Sequence, residues 1–479
     1  MATLTDIADT YYKETRASDL VAAGFANIDK EFDDITFEKN GNSFVAMAGG
    51  ERAYAFQAGA YGWTASDWAH KVAASLEHIE TLRSGLDSPD LSVLVDTFIE
   101  GVTESLDKLT RYASLQDAKA NRLQWFGEIG AIGISIDDGS SGWEVKGIDD
   151  AELLVSQSLQ PGDAILDIDG VSVAGLARRE VLGLLHGEIG SPIVFTIERA
   201  GTTDRISVTL TRRRAGSNRV ASLRLGKSTR IIMTGFTDMA VTDLRTALAQ
   251  NLNSGLGSRS GLILDLRDNP GGLLTAVIDT AKIFMSRERI FATRGRHPDS
   301  HQVFEATGGT HVESPPLVVL LDENSAAGSE IVAAALQASH RALVVGTTSY
   351  GAGTIQTVLP MPNLGELIIT WAEVSAAGNY RLDKRGVMPT VCTGGDVTAE
   401  AVLADLRRGA SVIDPATRNQ DIDPDDDAAV AAFRALCPPR SDGDDISLEV
   451  AEAILADPAL YAAALAREQQ AMQSRTTGN

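Results

Sequence analysis

Apolar residues in the first part of the chain recur three or four positions apart. The run from Leu20 to Phe32 follows this spacing, and "SDWAHKVAASLEHIETLRS" and "DLSVLVDTFIEGVTESLDKL" repeat it. One face of an α-helix has the same period. The pattern therefore predicts a helical N-terminal region over residues 1–113. The Gly-rich and aromatic stretch "NSFVAMAGGERAYAFQAGAYGW" inside this region stays unassigned.

The period changes near Phe126 to short apolar runs that alternate with turns. Residues 124–214 contain "GAIGISI", "WEVKGI", "DAILDIDGVSV", "PIVFTIER" and "RISVTLTR", which Gly and Pro-Gly turns separate. Runs of this length between such turns are typical of β-strands. One segment, "ARREVLGLLHG", has helical spacing. The sequence predicts a small, partly open β-barrel with one helix.

Buried strands and amphipathic helices alternate over residues 215–395, after the polar linker "RRRAGSNR". The segment "SGLILDLRDNPGGLLTAVIDTAKIF" contains a strand, a turn and a helix, and "PPLVVLLDENSAAGSEIVAAALQAS" repeats that order. A further strand with a Gly-rich loop follows in "RALVVGTTSYGAGTIQTVLP". The alternation predicts an α/β core. Functional residues of α/β folds gather at the carboxyl ends of such strands.

Residues 396–479 form an acidic and Ala-rich extension. Its first part, "DIDPDDDAAVAAFRALCPPRSDGDD", predicts loop, helix and loop, and "SLEVAEAILADPALYAAALAREQQAM" predicts a helical end. An apolar stripe on a terminal helix packs against its own domain or joins two protomers. The pattern leaves both alternatives open.

The overall charge excludes one class of partner. The 479 residues include 42 Lys and Arg against 65 Asp and Glu, a formal net charge of −23. Such an excess repels phosphate backbones, so we expect no nucleic-acid partner. No apolar run reaches the roughly 18–20 residues of a membrane span. The N-terminus "MATLTDIADTYYKE" has neither the basic nor the apolar part of a secretory signal.

The cysteines and histidines do not predict a metal site. Cys392 and Cys437 lack metal-binding spacing. They are either two small buried residues or one disulfide that ties the extension to the core, and a disulfide would require an exported protein. His297, His301 and His311 share a polar stretch, but no helix face aligns them. We therefore predict no metal and no cofactor.

Two segments of the α/β core resemble the C-terminal processing, or tail-specific, serine peptidases. "LILDLRDNPGGLL" is similar to one family signature, and the segment from Asn324 to Pro360 is similar to the nucleophile motif "SASASEI" followed by "GxxxFGKGxxQ". "LDKLTRYAS" also resembles the family's "LDPYSRY". The matching positions are Ser325, Ala326, Gly328, Ser329, Glu330, Ile331, Gly346, Gly351, Gly353 and Gln356. The family's serine falls on Ala327 and its lysine on Ala352.

The resemblance implies a crotonase-like or ClpP-like core with a Ser-Lys dyad. In that chemistry, a buried lysine with a lowered pKa takes the proton of a serine hydroxyl, and the serine attacks the scissile carbonyl. Gln356 would orient the lysine. The oxyanion requires fixed N–H donors, for which the candidates are Gly271, Gly272 and Gly328.

The strand-rich region resembles the PDZ domain that is inserted in this family. "LQPGDAILDIDGVSV" is similar to the family's strand, turn and strand, and "GAIGISI" to its carboxylate-binding loop. A Gly-rich turn and an exposed strand edge can bind a terminal carboxylate and an extended peptide. The segment "DDAELLVSQS" departs from the family's pattern. By this resemblance the loop residues are Ala131, Ile132, Gly133 and Ile134, and the groove residues are Val181, Leu184 and Leu185.

The alanines at the dyad positions admit three interpretations. An active peptidase with another dyad is disfavoured, because no residue replaces the lysine. A natural pseudopeptidase would bind C-terminal tails or act as a scaffold without cutting them. A deliberate replacement of both dyad residues fits best, because the flanking motif is intact and alanine disturbs packing little. We therefore predict a serine endopeptidase of this family in an inactive form.

The resemblance also implies location and partners. Members of the family are exported, periplasmic enzymes that act on accessible protein C-terminal tails. They often assemble into homo-oligomers through terminal helices, and some act with an adaptor lipoprotein. These properties are expectations for this chain.

Overall fold

The fold is described from a computed structural model of the chain. The residues that it describes are 2–58, 63–83, 90–118, 130–139, 142–176, 178–202, 205–214, 219–253, 261–308, 312, 315–410, 412–440 and 445–476. The predicted start of the strand-rich region at residue 124, the linker residues 215–218 and His311 lie outside these ranges.

The N-terminal region combines helices with a small antiparallel sheet. Its helices are α1 (Ala2–Thr10), α2 (Ala17–Glu31), α3 (Ala65–Arg83) and α4 (Leu91–Glu104). Its strands are β1 (Ile35–Asn40), β2 (Ser43–Ala48), β3 (Glu51–Gln57) and β4 (Arg111–Ala113), and β1, β2 and β3 pair in that order. The helices agree with the predicted periodicity. The stretch that the sequence left unassigned contains β2 and β3, so the N-terminal region is less purely helical than predicted.

Residues 130–214 form a module of strands with two short helices in its described part. The strands are β5 (Gly130–Ala131), β6 (Ile134–Gly139), β7 (Gly142–Ile148), β8 (Ala164–Ile168), β9 (Val171–Ser172), β10 (Pro192–Glu198), β11 (Ile206–Thr211) and β12 (Arg213–Arg214). The main sheet has the order β11-β10-β8-β7-β6, with β9 beside β8. β6 is therefore an edge strand of this sheet.

The helices of this module are Ala151–Ser156 and Arg178–Leu185. The second agrees with the predicted helix, whereas the first was not predicted. Its six residues are too few to establish a helical period. The Asp150 side chain begins it by accepting hydrogen bonds from the amides of Glu152 and Leu153.

The α/β core agrees with the predicted alternation of strands and helices. Its strands are β13 (Val220–Leu225), β14 (Ser228–Met233), β15 (Leu262–Asp265), β16 (Arg289–Arg294), β17 (Gln302–Glu305), β18 (Leu317–Leu321), β19 (Leu343–Gly346), β20 (Thr354–Pro360), β21 (Glu366–Ala376) and β22 (Val391–Cys392). One six-stranded sheet has the order β13-β14-β15-β18-β19-β22. Its neighbours are parallel, except for the pair of β13 and β14.

Helices connect the parallel strands of this sheet. Asp238–Asn253 follows β14, Leu274–Phe284 follows β15 and Gly328–Ala338 follows β18. Every residue of β15, β18 and β19 is buried. Continuous apolar strands are typical of a parallel sheet that is covered on both faces. The turns after β15 and β18 lie at the carboxyl edge of the sheet.

The chain divides into two compact units. The first contains residues 1–122, 293–302 and 354–373, and the second contains the rest. In the first unit, β20 pairs with β21 and β21 pairs with β4, both antiparallel. Met361, Leu367 and Ile369 join the buried cluster of the N-terminal helices. The strand-rich module, the six-stranded sheet and the C-terminal extension belong to the second unit.

The C-terminal extension packs on the six-stranded sheet. Its helices are Ala399–Arg408, Pro415–Arg418, Asp427–Arg434, Ile446–Ala456 and Pro458–Thr476. Val450 and Ile454 share one buried cluster with Ile263, Val318 and Leu343 of the sheet. The apolar stripe thus packs against its own domain, and its use between protomers stays a prediction. The boundaries of the four predicted regions also stay predictions.

The two cysteines form a disulfide. Cys392, at the end of β22, is bonded to Cys437, and their Cα atoms are 5.7 Å apart. The structure therefore decides between the two alternatives that the sequence left open. The bond ties the extension to the last strand of the sheet.

Candidate active site

Residues 322–330, which we call the nucleophile turn, lead from β18 into the helix Gly328–Ala338. Ala327 precedes this helix with φ 47° and ψ −103°. A residue with a Cβ atom seldom adopts a positive φ, and such strain persists only where the surroundings enforce it. The resemblance places the catalytic serine at this residue. The turn therefore has a strained backbone at the predicted nucleophile position.

Serines on both sides of Ala327 fix the nucleophile turn. The Ser325 hydroxyl donates to the Leu266 carbonyl oxygen at 2.9 Å, and the Ser329 hydroxyl donates to the Asn269 carbonyl oxygen at 2.9 Å. Both side chains are fully buried. Both hydroxyls are therefore engaged by the turn that follows β15.

A buried carboxylate joins the two positions of the dyad. Glu330 Oε2 accepts the N–H of Ala327 at 2.8 Å and the N–H of Ala352 at 2.9 Å. Its Oε1 accepts the Ser349 hydroxyl at 2.6 Å and the N–H of Gly351 at 2.7 Å. Burial raises the pKa of the Glu330 carboxyl, and the four donors oppose that rise. One side chain thus holds the backbone of both predicted dyad positions.

From the sequence alone, Glu330 is recognised only as one match to the family motif. A usable signal was present, because Glu330 is the third residue of its helix, where an acidic side chain can accept the amide that precedes the helix. Its bonds to Gly351 and Ala352 depend on the tertiary fold. They had no signal in the local sequence.

Residues 347–353, which we call the base loop, carry Ala352. Its side chain is buried, in the kind of site where a lysine would have a lowered pKa. Gly351 has φ 92° and lies so close to the Lys384 backbone that a Cβ atom would approach it to 2.7 Å. The Ser349 hydroxyl also accepts the N–H of Val387 at 2.7 Å. The base loop is therefore fixed against residues 383–387.

The three oxyanion candidates gather beside Ala327. A Cβ atom on Gly271 would lie 3.0 Å from the Ala327 Cβ and 2.9 Å from the Gly328 nitrogen, so a side chain at this position would crowd both. The Gly271 N–H already donates to Asn269 Oδ1 at 2.8 Å. Gly272 has φ 149° and would clash with Phe236 if it carried a Cβ atom. Gly328 begins its helix, so its N–H has no intrahelical acceptor. The role of the three glycines as oxyanion donors stays a prediction.

Gln356 lies in β20, within the first compact unit. Its side-chain amide donates to the hydroxyl of Thr354 at 3.0 Å and to that of Thr370 at 3.3 Å. Its role in orienting a lysine stays a prediction.

The predicted carboxylate loop of the strand-rich module is a tight turn. Gly133 has φ 70°, and its carbonyl accepts the amides of Asp149 and Asp150. Ala131 pairs with Arg213 in a short two-stranded sheet. Ile134 begins the edge strand β6.

The apolar residues of this predicted site are less accessible. Ile132, Val181 and Leu185 are buried in the core of the module, whereas Leu184 is partly buried against it. Little of these three buried side chains is exposed. Their part in tail binding stays a prediction.

A cavity of about 680 Å³ lies next to the nucleophile turn in the second unit. Its polar lining includes Asp268, Asp322, Asn324, Arg230 and Arg267. Burial, helped by the charge of Asp268, raises the pKa of Asp322 to about 6. The cavity gives an extended chain room beside the turn.

Among the residues that the structure describes, no group of three His, Cys, Asp or Glu side chains is placed to hold a metal ion. No helix among the same residues is long and apolar enough to cross a membrane.

A strained turn at a helix N-terminus, with glycine amides beside it and a parallel sheet behind it, is an arrangement that serine-type hydrolases use. The second unit has this arrangement, with Ala327 at the projecting position. The fold and the site therefore define a scaffold of the serine-hydrolase class.

Comparison with known sequences identifies the family. Residues 229–393 match peptidase family S41. The chain is 32% identical over 301 residues to a carboxyl-terminal-processing protease of Synechocystis, an alignment that covers 61% of this chain and 69% of that protein. The chain belongs to peptidase family S41.

Two further proteins are similar to this chain. A carboxy-terminal-processing protease of Bartonella bacilliformis is 29% identical over 377 residues, which cover 78% of this chain and 86% of that protein. A solved structure of a photosystem II D1 C-terminal processing protease aligns with a TM-score of 0.43 and 23% identity, over 66% of this chain and 85% of that one.

Proposed function

We propose that this chain is a C-terminal processing serine endopeptidase that lacks both side chains of its Ser-Lys dyad. As written, it would bind substrates without cutting them. The observation that carries this proposal is the Glu330 carboxylate, which holds the backbones of Ala327 and Ala352 together. These hydrogen bonds are present, although both of the residues that they position are alanines.

The proposed chemistry follows from what each position would contribute. A serine at position 327 would project from the strained turn, and a lysine at position 352 would lose its proton readily in a buried loop. The serine oxygen would attack the scissile carbonyl while its proton moved to the lysine amine. The Gly328 N–H would stabilise the oxyanion. The intermediate would then collapse with cleavage of the C–N bond, as the lysine ammonium returned its proton to the leaving amine. Water, deprotonated by the lysine amine, would hydrolyse the remaining acyl-enzyme ester and restore the serine hydroxyl. Alanine supplies neither the nucleophile nor the base.

We propose that the strand-rich module is a PDZ domain that binds protein C-terminal tails. β6 stands at the edge of the described sheet, where an extended peptide could add as a further strand. The turn at Gly133, immediately before β6, is the proposed site for a terminal carboxylate. Residues 131–134 would bind the last residue, and Val181, Leu184 and Leu185 would line the groove.

A natural pseudopeptidase is the second candidate. The same module would then capture tails for a scaffolding role. The residues that the gene encodes at positions 327 and 352 distinguish the two candidates. If the gene encodes serine at position 327 and lysine at position 352, the alanines are a deliberate replacement. If it encodes alanine at both positions, the protein is a natural pseudopeptidase.

We also propose an exported, periplasmic location. The disulfide supports it, because such bonds persist in oxidising compartments. Homo-oligomerisation through the terminal helices and action with an adaptor lipoprotein remain proposals that rest on the family resemblance.

The deciding experiment restores the dyad. The Ala327→Ser, Ala352→Lys double variant should degrade an unstructured protein such as casein, whereas the starting chain should not. Each single variant is a matched control, because a nucleophile without a base, or a base without a nucleophile, should remain inactive. If the double variant is also inactive while β6 still binds a peptide with a free C-terminus, the pseudopeptidase candidate is favoured.

A further inference from the structure

Arg434 of the C-terminal extension binds the base loop. It is the last residue of the helix Asp427–Arg434. Its Nη1 donates to the carbonyl oxygen of Ser349 at 2.7 Å and lies 3.3 Å from that of Tyr350. The same nitrogen is 3.3 Å from the carbonyl oxygens of Lys384 and Arg385. One guanidinium therefore holds the base loop and the segment packed against it.

Cys437, three residues further along, makes a second attachment. Its carbonyl oxygen accepts the Thr348 N–H at 3.2 Å and the Thr348 hydroxyl at 2.8 Å. Its sulfur is bonded to Cys392 of β22. Residues 348–350 are therefore bound on one side by the guanidinium and on the other by a segment that the disulfide anchors.

These contacts continue into the site. Ser349, whose carbonyl binds Arg434, donates its hydroxyl to Glu330. The next two residues after Tyr350 donate their N–H groups to the same carboxylate. A displacement of residues 348–350 would therefore move the backbone of position 352.

We propose that residues 434–437, which we call the clamp segment, position the base loop for catalysis, with Arg434 as the positioning residue and the disulfide as its anchor. The clamp segment lies beyond residues 229–393, the part that matches the family. The proposal rests on the proposed function, since positioning matters only where a base is present. It assigns to the extension a role beyond covering the sheet.

The first test uses the chain as it exists and needs no activity. Amide hydrogen exchange is measured in the starting chain, Arg434→Gln and Arg434→Lys. Loss of a charged hydrogen bond should raise exchange at residues 349–352 about tenfold or more in Arg434→Gln. Exchange in β15 should stay unchanged. Arg434→Lys should recover part of the protection of these amides from exchange. A lysine ammonium keeps the positive charge but lacks the planar guanidinium with its several N–H donors.

Asp427→Asn is the matched control. Asp427 lies at the other end of the same helix, and it pairs with Lys384 Nζ at 3.1 Å in an exposed position. Such a pair contributes little, so exchange at residues 349–352 should not change. Unchanged exchange in Arg434→Gln would overturn the proposal. A uniform rise across the second unit would also overturn it, because it would indicate only a loss of global stability.

The second test places Arg434→Gln in the Ala327→Ser, Ala352→Lys background. A displaced base should lower kcat about 100-fold at a similar KM. A looser loop should also readmit water and raise the pKa of the introduced lysine, so the ascending limb of the pH profile should move to higher pH. A merely structural effect would lower the amount of folded enzyme and leave this limb in place, which would overturn the proposal.

Reduction of the disulfide in the same background should act in the same direction as Arg434→Gln, with a smaller fall in kcat. If the double variant itself is inactive, the proposed function fails. The exchange measurement still decides whether the clamp segment fixes the base loop, so the two failures are distinguishable.

Discussion

The nucleophile turn and the base loop differ in what fixes them. Ser325 and Ser329 hold the nucleophile turn to the neighbouring turn after β15, and all of these residues lie within the family match. The base loop instead depends on residues 383–387 and on Arg434 and Cys437, far along the chain. The nucleophile position is thus set by a compact motif, whereas the base position is set by remote segments. The comparison indicates that the base side is the more vulnerable one.

Glu330→Ala should disturb the nucleophile turn and the base loop together, and so remove the difference between them. It removes one acceptor from four donors, two of which are the N–H groups of Ala327 and Ala352. Leaving such buried groups unpaired should lower the free energy of unfolding by roughly 3–5 kcal/mol. Urea unfolding measures the loss, and hydrogen exchange should rise at both positions.

Gln337→Ala is the control for this variant. It removes another buried polar side chain from the same helix, one that bonds to Met388 and Thr390. Exchange at residues 327 and 352 should stay unchanged in it. An equal rise in both variants would contradict a specific role of Glu330.

Replacing both Cys392 and Cys437 by alanine should loosen the base loop and leave the nucleophile turn unchanged. A disulfide of this sequence separation, 45 residues, stabilises by about 2–4 kcal/mol through the unfolded state. Thermal unfolding measures the loss. Exchange should rise at Thr348, whose amide binds the Cys437 carbonyl, and not at Ser329. A rise at Ser329 alone would contradict the assignment of the disulfide to the base side.

Of the two regions, the nucleophile turn should be the one whose contribution to the free energy of unfolding changes at mildly acidic pH. The folded pKa of Asp322, about 6, lies above its ordinary value of 3.8. The folded state therefore holds a proton that the unfolded state releases, and stability from this group is lost as pH rises from about 4 to 6.

Asp322→Asn should remove this dependence. The free energy of unfolding of the variant, relative to that of the starting chain, should rise by on the order of 1–2 kcal/mol between pH 4.5 and pH 7.5. Urea unfolding at the two pH values checks the gain. A parallel pH dependence in both proteins would show that Asp322 does not titrate in this range.

Ser329→Ala should have the smallest effect. Its hydroxyl donates to the Asn269 carbonyl, which also accepts the N–H of Ala326. Because that carbonyl keeps one hydrogen-bond donor, the free energy of unfolding should fall by about 1 kcal/mol. Ser339→Ala, at the far end of the same helix, is the control and should cost less. A large loss in Ser329→Ala would mean that the nucleophile turn is as vulnerable as the base loop.

The sequence could predict what short-range patterns encode. The buried strands and the motif around Ala327 were found because all their determinants stand within a few residues. The clamp segment could not be found in this way. Arg434 stands 85 residues after Ser349, and no spacing rule relates an arginine to carbonyl oxygens so far away. Glu330 was recognised as part of a motif, but its bonds to the base loop appear only in the fold.

Two further features show the limit of a local pattern. In β2 and β3, Gly and aromatic residues concealed a two-residue alternation that becomes visible as alternating burial in Ser43–Ala48. Val181 and Leu185 are predicted groove residues by the family resemblance, and they are also buried in the core of the module. A one-dimensional pattern distinguishes apolar from polar positions. It does not distinguish a side chain that faces a core from one that faces a ligand.

The division of the first compact unit into three chain segments has a consequence for synthesis. Its N-terminal helices leave the ribosome early, but Met361, Leu367 and Ile369, which complete their buried cluster, belong to the last segment, residues 354–373. At roughly 5–20 residues per second, the delay between residues 122 and 354 is on the order of tens of seconds. During that interval the nascent chain exposes an unfinished apolar surface. Chaperones that bind nascent chains would therefore have a long window in which to act on the N-terminal region.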